Sequence, residues 1–312
     1  MTTTPTPSPA ATEAGPTATA PRKLTRAEKR AVEAKTRLTS RWATGLALVM
    51  AVLWTIPTFG LLVTSIRPEE SIQTSGWWTW FTNPEFTLAN YDAVLFGRNG
   101  LATYFVNSIV ITLPAVMIPI TIALLAAYAF AWIDFRGRDL LFVAVFALQI
   151  VPLQVTLIPL LTIYVDLGLN NSFWTVWLSH SIFALPLAIF IFHNFMKDIP
   201  RSLVEAARVD GAGHVRIFFT VLLPLLIPAI AAFTVFQFLW VWNDLLVALT
   251  FAGGTPNVAP ITVQLAGLAG TLGQDWYLLS AGAFVALIVP LIIFLFGQRY
   301  FVRGLLAGGV KG

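Results

Sequence analysis

KDIPRSLVEAARVDGAGHVRIFFTVLLPLLIPAIAAFTVFQFLWVWND, residues 197–244, changes character at one point. Up to Arg216 it is charged and interrupted by Pro200, Gly211 and Gly213. Between Arg216 and Asp244 it holds no Asp, Glu, Lys or Arg. A membrane-crossing helix needs about 20 mainly apolar residues, so the second half is long enough to span a bilayer. The same pattern recurs along the chain. No charge separates Arg41 from Arg67, Arg98 from Asp134, Asp139 from Asp166, Asp166 from Lys197, Asp244 from Asp275, or Asp275 from Arg299. The stretch after Asp244 differs, because residues 251–273 carry Gly253, Gly254, Pro256, Pro260, Gly267, Gly270 and Gly273. That composition reads as a loop with short helical pieces. Six spans follow, at about 43–66, 103–132, 140–164, 173–195, 218–243 and 277–299, and the fold class is all-α.

Composition agrees. Of 312 residues, 57% are hydrophobic and 11% charged, against roughly 25% charged in an average soluble domain. Cys is 0, which excludes a thiolate nucleophile, a Cys-ligated zinc and an iron–sulfur cluster. Orientation follows from Lys and Arg. Six spans put both termini on one side, and that side holds 17 of the 19 basic residues, leaving Arg67 and Arg98 opposite. Both termini are therefore expected in the cytoplasm. The net charge of +4 reflects this topology, not nucleic-acid binding.

Residues 1–21 are a Thr/Pro/Ala tail that cannot bury a core. Residues 22–41 are basic, and fit either a short helix on anionic headgroups or a solvated tail; 1–41 is read as tail and 42–312 as the membrane domain. The segment 67–101 is acidic and aromatic. Trp174, Trp177, Trp240, Trp242 and Trp276 fall at predicted outer span ends, as interfacial belt residues do. Prolines sit inside the spans at Pro114, Pro119, Pro152, Pro159, Pro186, Pro224, Pro228 and Pro290, each bending its helix. They suit a pathway that opens and closes, and suit equally the ordinary architecture of membrane helices.

No catalytic constellation appears. His180, His193 and His214 lack metal-ligand spacing, and no P-loop exists for ATP. The span interiors hold no Asp, Glu, Lys or Arg, although gradient-driven transporters usually keep such groups. Asn107, Gln149, Gln154, Gln237 and Asn243 supply neutral polarity. They fit contact with an uncharged solute or, residue by residue, helix–helix bonding. If the chain transports without its own energy source, energy enters through a docking surface in the cytosolic loop 197–216. Pro200 suits a helix start, Ser202 with Glu205 matches a capping box, and Gly211 suits a left-handed stop. Arg201 and Glu205, or Glu205 and Arg208, are spaced to pair. A helix of about eight residues is unstable alone in water and must dock on something.

Glu205-Ala206-Ala207, Asp210-Gly211-Ala212 and Leu223-Pro224 resemble the EAA loop of permease subunits of binding-protein-dependent ABC importers, with Val221 where the family often has Ile. Asn107-Ser108, Trp242-Asn243-Asp244, Pro260-Ile261-Thr262-Val263, Asp275-Trp276 and the ending from Gln298 to Gly312 resemble its carbohydrate branch. Pro152-Leu153-Gln154 and Ala129-Phe130-Ala131-Trp132 are similar to α-glucoside permeases. The resemblance covers about residues 43–312. It implies the MetI-like permease fold and a subunit of an ATP-driven carbohydrate importer in the bacterial cytoplasmic membrane. It implies a second permease subunit, two ATP-binding subunits that hold ATP and Mg, and an extracytoplasmic sugar-binding protein, with no cofactor, metal or catalytic residue in this chain. Glu205, Ala206, Ala207, Arg208, Asp210 and Gly211 would form the ATPase-coupling contact. Pro256, Asn257, Pro260, Thr262 and Gln264, in the outer loop 251–275, would meet the binding protein. Gly309, Val310, Lys311 and Gly312 would lie between the ATPase subunits. In the maltose importer most sugar contacts belong to the partner permease, so no sugar site is assigned. A gradient-driven sugar transporter, a membrane enzyme and a scaffold subunit are the competing readings.

Overall fold

The computed structural model describes residues 25–26, 41–97, 100–269 and 275–309, without the side chains of 41 and 299–309. Among the described residues there is no β-strand. The chain divides into two units, residues 1–58 and 59–312. Helix α1 (Arg41–Ser65) begins in the first unit, and the rest of this description concerns the second.

Three short elements follow α1: α2 (Glu69–Thr74), a 3₁₀ turn (Trp77–Phe81) and α3 (Ala89–Phe96). Then come α4 (Leu101–Trp132), α5 (Arg138–Ala147), α6 (Leu153–Asp166), α7 (Phe173–Lys197) and α8 (Arg201–Val209). The continuous α9 (His214–Trp242) precedes α10 (Leu246–Ala252), α11 (Ile261–Ala269) and α12 (Trp276–Gly309). Among the described residues, five helices are single pieces long and apolar enough to cross a membrane: α1, α4, α7, α9 and α12. Helices suit that medium because every backbone donor finds its acceptor within the segment.

The stretch expected as a third span, 140–164, is not one straight helix. α5 runs on through a 3₁₀ turn (Leu148–Ile150), and α6 then leaves at 100°. Pro152 is the cause: it has no N–H and its ring forces Val151 into extended backbone, ψ 120°. The other span prolines do not break their helices. Pro224 follows a π turn at Phe218–Leu222, which loosens the ladder where Pro224 leaves the Thr220 carbonyl without its usual donor.

The core is built around α4 and α7. Ala115, Ala123 and Ala127 on α4, and Ala188 on α7, are completely buried. Small side chains let helix backbones approach closely, which supplies packing where lipid removes the hydrophobic drive. Phe192, Leu222 and Phe233 pack from α7 and α9 into one cluster with Ala123, Ala127 and Ala188. At the other end, α12 reaches α4 and α11 at Gly282, where a Cβ would lie 2.7 Å from Leu101 Cδ1 and 2.8 Å from Leu265 Cδ2.

Candidate functional site: two ends of the bundle

The α7–α9 connection forms one end. Pro200 ends an extended entry with ψ 128° and α8 starts at Arg201. The expected capping box is absent: Ser202 lies inside the helix and no side chain caps it. Proline at the helix entry already lacks one of the N–H groups a cap would satisfy, and its φ of −56° is preset for a helix. The stop is as expected. Gly211 has φ +76°, and the Ala212 N–H donates to the Ala207 carbonyl at 2.9 Å, a C-terminal closure that glycine makes cheap.

One face of α8 turns into the bundle. Val204 is buried, with Ala207 and Ala212 partly buried against the same cluster. The opposite face carries Ser202, Ala206 and Val209, all exposed, Val209 at 88%. Glu205, Arg208, Asp210 and Gly211 are exposed too. The expected ion pairs do not form; among the described residues Glu205 bonds neither Arg201 nor Arg208. Behind α8, the Tyr128 hydroxyl of α4 meets His214 Nδ1 at 2.7 Å and its ring stands edge-on to Phe218. His214 thus has a structural contact and no ligand geometry.

The opposite end is held by directed hydrogen bonds. Asn107 Nδ2 donates to the carbonyls of Pro256 at 2.8 Å and Ala259 at 3.0 Å. Ser108 Oγ accepts the Ile261 N–H at 2.8 Å. Thr262 Oγ1 donates to the Asp244 carbonyl at 2.7 Å. Asp244 caps α10, accepting from Ala248 N at 2.8 Å and Val247 N at 3.3 Å. Burial pushes the Asp244 carboxyl above its usual range, and these backbone donors oppose that rise.

The five residues expected to meet a partner at this end are divided by the fold. Pro256 and Asn257 are exposed at the loop tip, whereas Pro260 is buried, and Thr262 and Gln264 are partly covered. Gly309 ends α12; Val310, Lys311 and Gly312, like the basic tail except Thr25, Arg26 and Arg41, lie outside the described residues.

Three of the five span amides, Asn107, Gln237 and Asn243, resolve toward architecture, whereas Gln149 and Gln154 are exposed. Gln237 is fully buried and donates to the Ala115 carbonyl at 3.2 Å, and Asn243 bonds its own helix at Leu239. Trp242, expected in an interfacial belt, is instead buried and donates to the Ala286 carbonyl at 3.0 Å. His180 is buried within 3.7 Å of Asp244 Oδ2 and edge-on to Trp240. Arg67 was missed by sequence reasoning, which counted it as an exported charge. It is 3% exposed and donates to Gly76 O at 3.0 Å, Ser71 O at 3.0 Å and Ser75 Oγ at 2.7 Å. The hydroxyls of Ser75 and Thr79, which also accept from it, were the available signal. Among the described residues no group of His, Asp and Glu could hold a metal ion.

Comparison with known proteins gives a consistent result. The family described as "Binding-protein-dependent transport system inner membrane component" matches residues 119–306. The osmoprotective compounds uptake permease protein of Synechocystis sp. is 54% identical over 268 residues, 85% of this chain and 90% of that protein. The α-glucoside transport system permease protein of Rhizobium meliloti is 36% identical over 370 residues, 87% of this chain and 97% of that protein. Among solved structures, a bacterial ABC transporter for import of the acidic polysaccharide alginate has a chain that superposes with TM-score 0.70 at 20% identity. That match covers 90% of this chain and 99% of the other, and it establishes likeness of fold.

Proposed function

This chain belongs to the family of binding-protein-dependent transport system inner membrane components, and from that premise we propose that it forms half of the translocation pathway of an ATP-driven carbohydrate importer. In this reading α8 seats in a separate ATP-binding subunit, and the loop tip at Pro256 and Asn257 meets an extracytoplasmic sugar-binding protein. A second permease subunit completes the pathway, and both termini lie in the cytoplasm. The observation that carries the reading is the posture of α8. A nine-residue helix is too short to hold itself in water. It is anchored on one face by Val204, and the other face, Ala206 and Val209 included, is uncovered. Small residues there allow a second backbone close.

Rigid attachment of α8 lets a closing motion of the ATP-binding subunits reach α7 and α9, between which α8 is strung. The bundle then switches between two packings, each favoured by different contacts. The solute we propose is an α-glucoside or another oligosaccharide. The α-glucoside relative supports this, as do span interiors with no Asp, Glu, Lys or Arg, which suit an uncharged solute.

The test is affinity purification of the full chain in mild detergent from its own membranes, beside Glu205→Lys, with the partners identified by mass spectrometry. The reading expects an ATP-binding subunit with the native chain and its loss with Glu205→Lys. A native chain that brings down no such subunit, under conditions that keep other membrane complexes whole, defeats it. A co-purified binding protein then identifies the sugar through its own ligand spectrum.

A further inference from the structure

A cavity of about 190 Å³ opens beside α8, and it shares Glu205 and Arg208 with the contact assigned to the ATP-binding subunit. Its walls come from parts of the chain far apart in sequence. Trp132 closes α4, Asp134 lies in the next loop, Arg138 opens α5, Lys197 closes α7, and α8 adds Arg201 and Arg208 with Val204 and Glu205. Four cations thus face two carboxylates. Asp134 is engaged by Arg138 at 2.7 Å, which also bonds Asp139 at 3.2 Å, so Arg138 is held in place. Among the described residues, Lys197, Arg201 and Arg208 have no carboxylate within ion-pair distance. The indole Nε1 of Trp132 is buried without a hydrogen-bond partner.

Like charges gathered around one cavity repel each other unless an anion sits between them. Guanidinium forks and an ammonium match the oxygens of a phosphate group. The cavity lies where α4 and α7 end, at headgroup depth for membrane-spanning helices, on the side that the Lys and Arg distribution assigns to the cytoplasm. Immediately past Arg138, α5 exposes Leu140, Leu141 and Val143, an apolar track along which an acyl chain could run from a headgroup held in the cavity.

We propose that this cavity binds one phosphate-bearing ligand, an anionic lipid headgroup or a free phosphate, through Arg138, Lys197, Arg201 and Arg208. Such a ligand bridges the bundle (Arg138, Lys197) to α8 (Arg201, Arg208) and ties the docking helix to the spans that it must move. The proposal rests on the membrane-spanning fold and not on the sugar or the ATP-binding subunit, so it can fail while the importer reading stands.

The experiment is native mass spectrometry of the full chain. It is released from nanodiscs of phosphatidylcholine alone or of phosphatidylcholine with phosphatidylglycerol, and inorganic phosphate is titrated in a separate arm. The expected result is one phosphatidylglycerol retained in preference to phosphatidylcholine. Arg201→Gln/Arg208→Gln should lower retention about thirtyfold, since each of the two basic residues near a membrane surface adds on the order of 1 kcal/mol for anionic lipid. Lys197→Gln, on a different helix, should lower it in the same direction, and Arg136→Gln, an exposed residue outside the cavity, should lower it clearly less. Phosphate adducts that respond to the same substitutions, without lipid preference, would support the site with a free-phosphate source. Neither ligand binding, or a loss with Arg136→Gln equal to that with the cavity variants, overturns the proposal. Each variant is first checked for a monodisperse elution peak; should Arg201→Gln/Arg208→Gln fail that check, Lys197→Gln decides alone.

Discussion

The two ends of the bundle are fastened by different physics. The loop around Pro256 is pinned by directed hydrogen bonds: Asn107 to two carbonyls, Ser108 to the Ile261 N–H, Thr262 to Asp244. Its shape is set within this chain. At the other end, α8 is fastened by an apolar peg, Val204, and by small neighbours, while much of its remaining surface stays uncovered. Hydrogen bonds demand one geometry; an apolar peg fixes position but tolerates small rotations. The pinned end therefore presents a preformed surface, and the pegged end can transmit a push from outside and still adjust to it.

The largest expected effect is at the pinned end. Asn107→Leu removes the donor of two carbonyls; orphaning the buried Ala259 acceptor costs about 1–3 kcal/mol and losing the part-buried bond to Pro256 about 1 kcal/mol, for a total of about 3 kcal/mol. Thermal unfolding in detergent measures it, and protease cleavage near Pro256 should rise while cleavage at α8 does not. Equal sensitivity at both ends would erase the contrast.

Val204→Ala sharpens it from the other side. Loss of the peg leaves a cavity and costs about 2 kcal/mol locally. Hydrogen exchange should quicken at 201–209 and stay unchanged at 256–262. Tyr128→Phe removes one hydrogen bond, to His214, for about 1 kcal/mol; exchange at the start of α9 reads it. Gly211→Ala is the smallest in stability. No atom lies within 4 Å of the added Cβ, so the cost is the left-handed backbone alone, about 1 kcal/mol. Its effect should appear in partner retention more than in melting temperature.

The contrast was unequally legible in the amino-acid order. The charge gaps marked out the five single-piece helices long enough to cross a bilayer to within a few residues, but not the bent pair at 140–164, because length and charge rules need no tertiary knowledge and say nothing of a break. α8 was readable from Pro200 and Gly211, whose backbone constraints are local. The capping box was misread because Ser202 at the expected spacing says nothing about where the helix begins; Pro200 had already decided that. The bend at Pro152 was hidden among the other span prolines, which their helices absorb. The pinned end was hidden too. The residues that hold it are some 150 positions apart in sequence, and neither Asn107 nor the glycine-rich loop names its partner. Pro260 was expected at a surface and is buried. The loop's composition pointed to exposure, and the Asn107 and Ser108 bonds that draw it inward exist only in three dimensions.

The central claim is that the uncovered face of α8 is where an ATP-binding subunit sits. The chain has no cysteine, so a single introduced one is unique. The most direct measurement is cysteine-directed photo-crosslinking in native membranes from Ala206→Cys, with Asn257→Cys as its counterpart at the other end. The account predicts an adduct with an ATP-binding subunit from position 206 and none from position 257. An ATP-binding subunit captured from position 257, or nothing but lipid from position 206 in membranes where the importer is assembled, would contradict it.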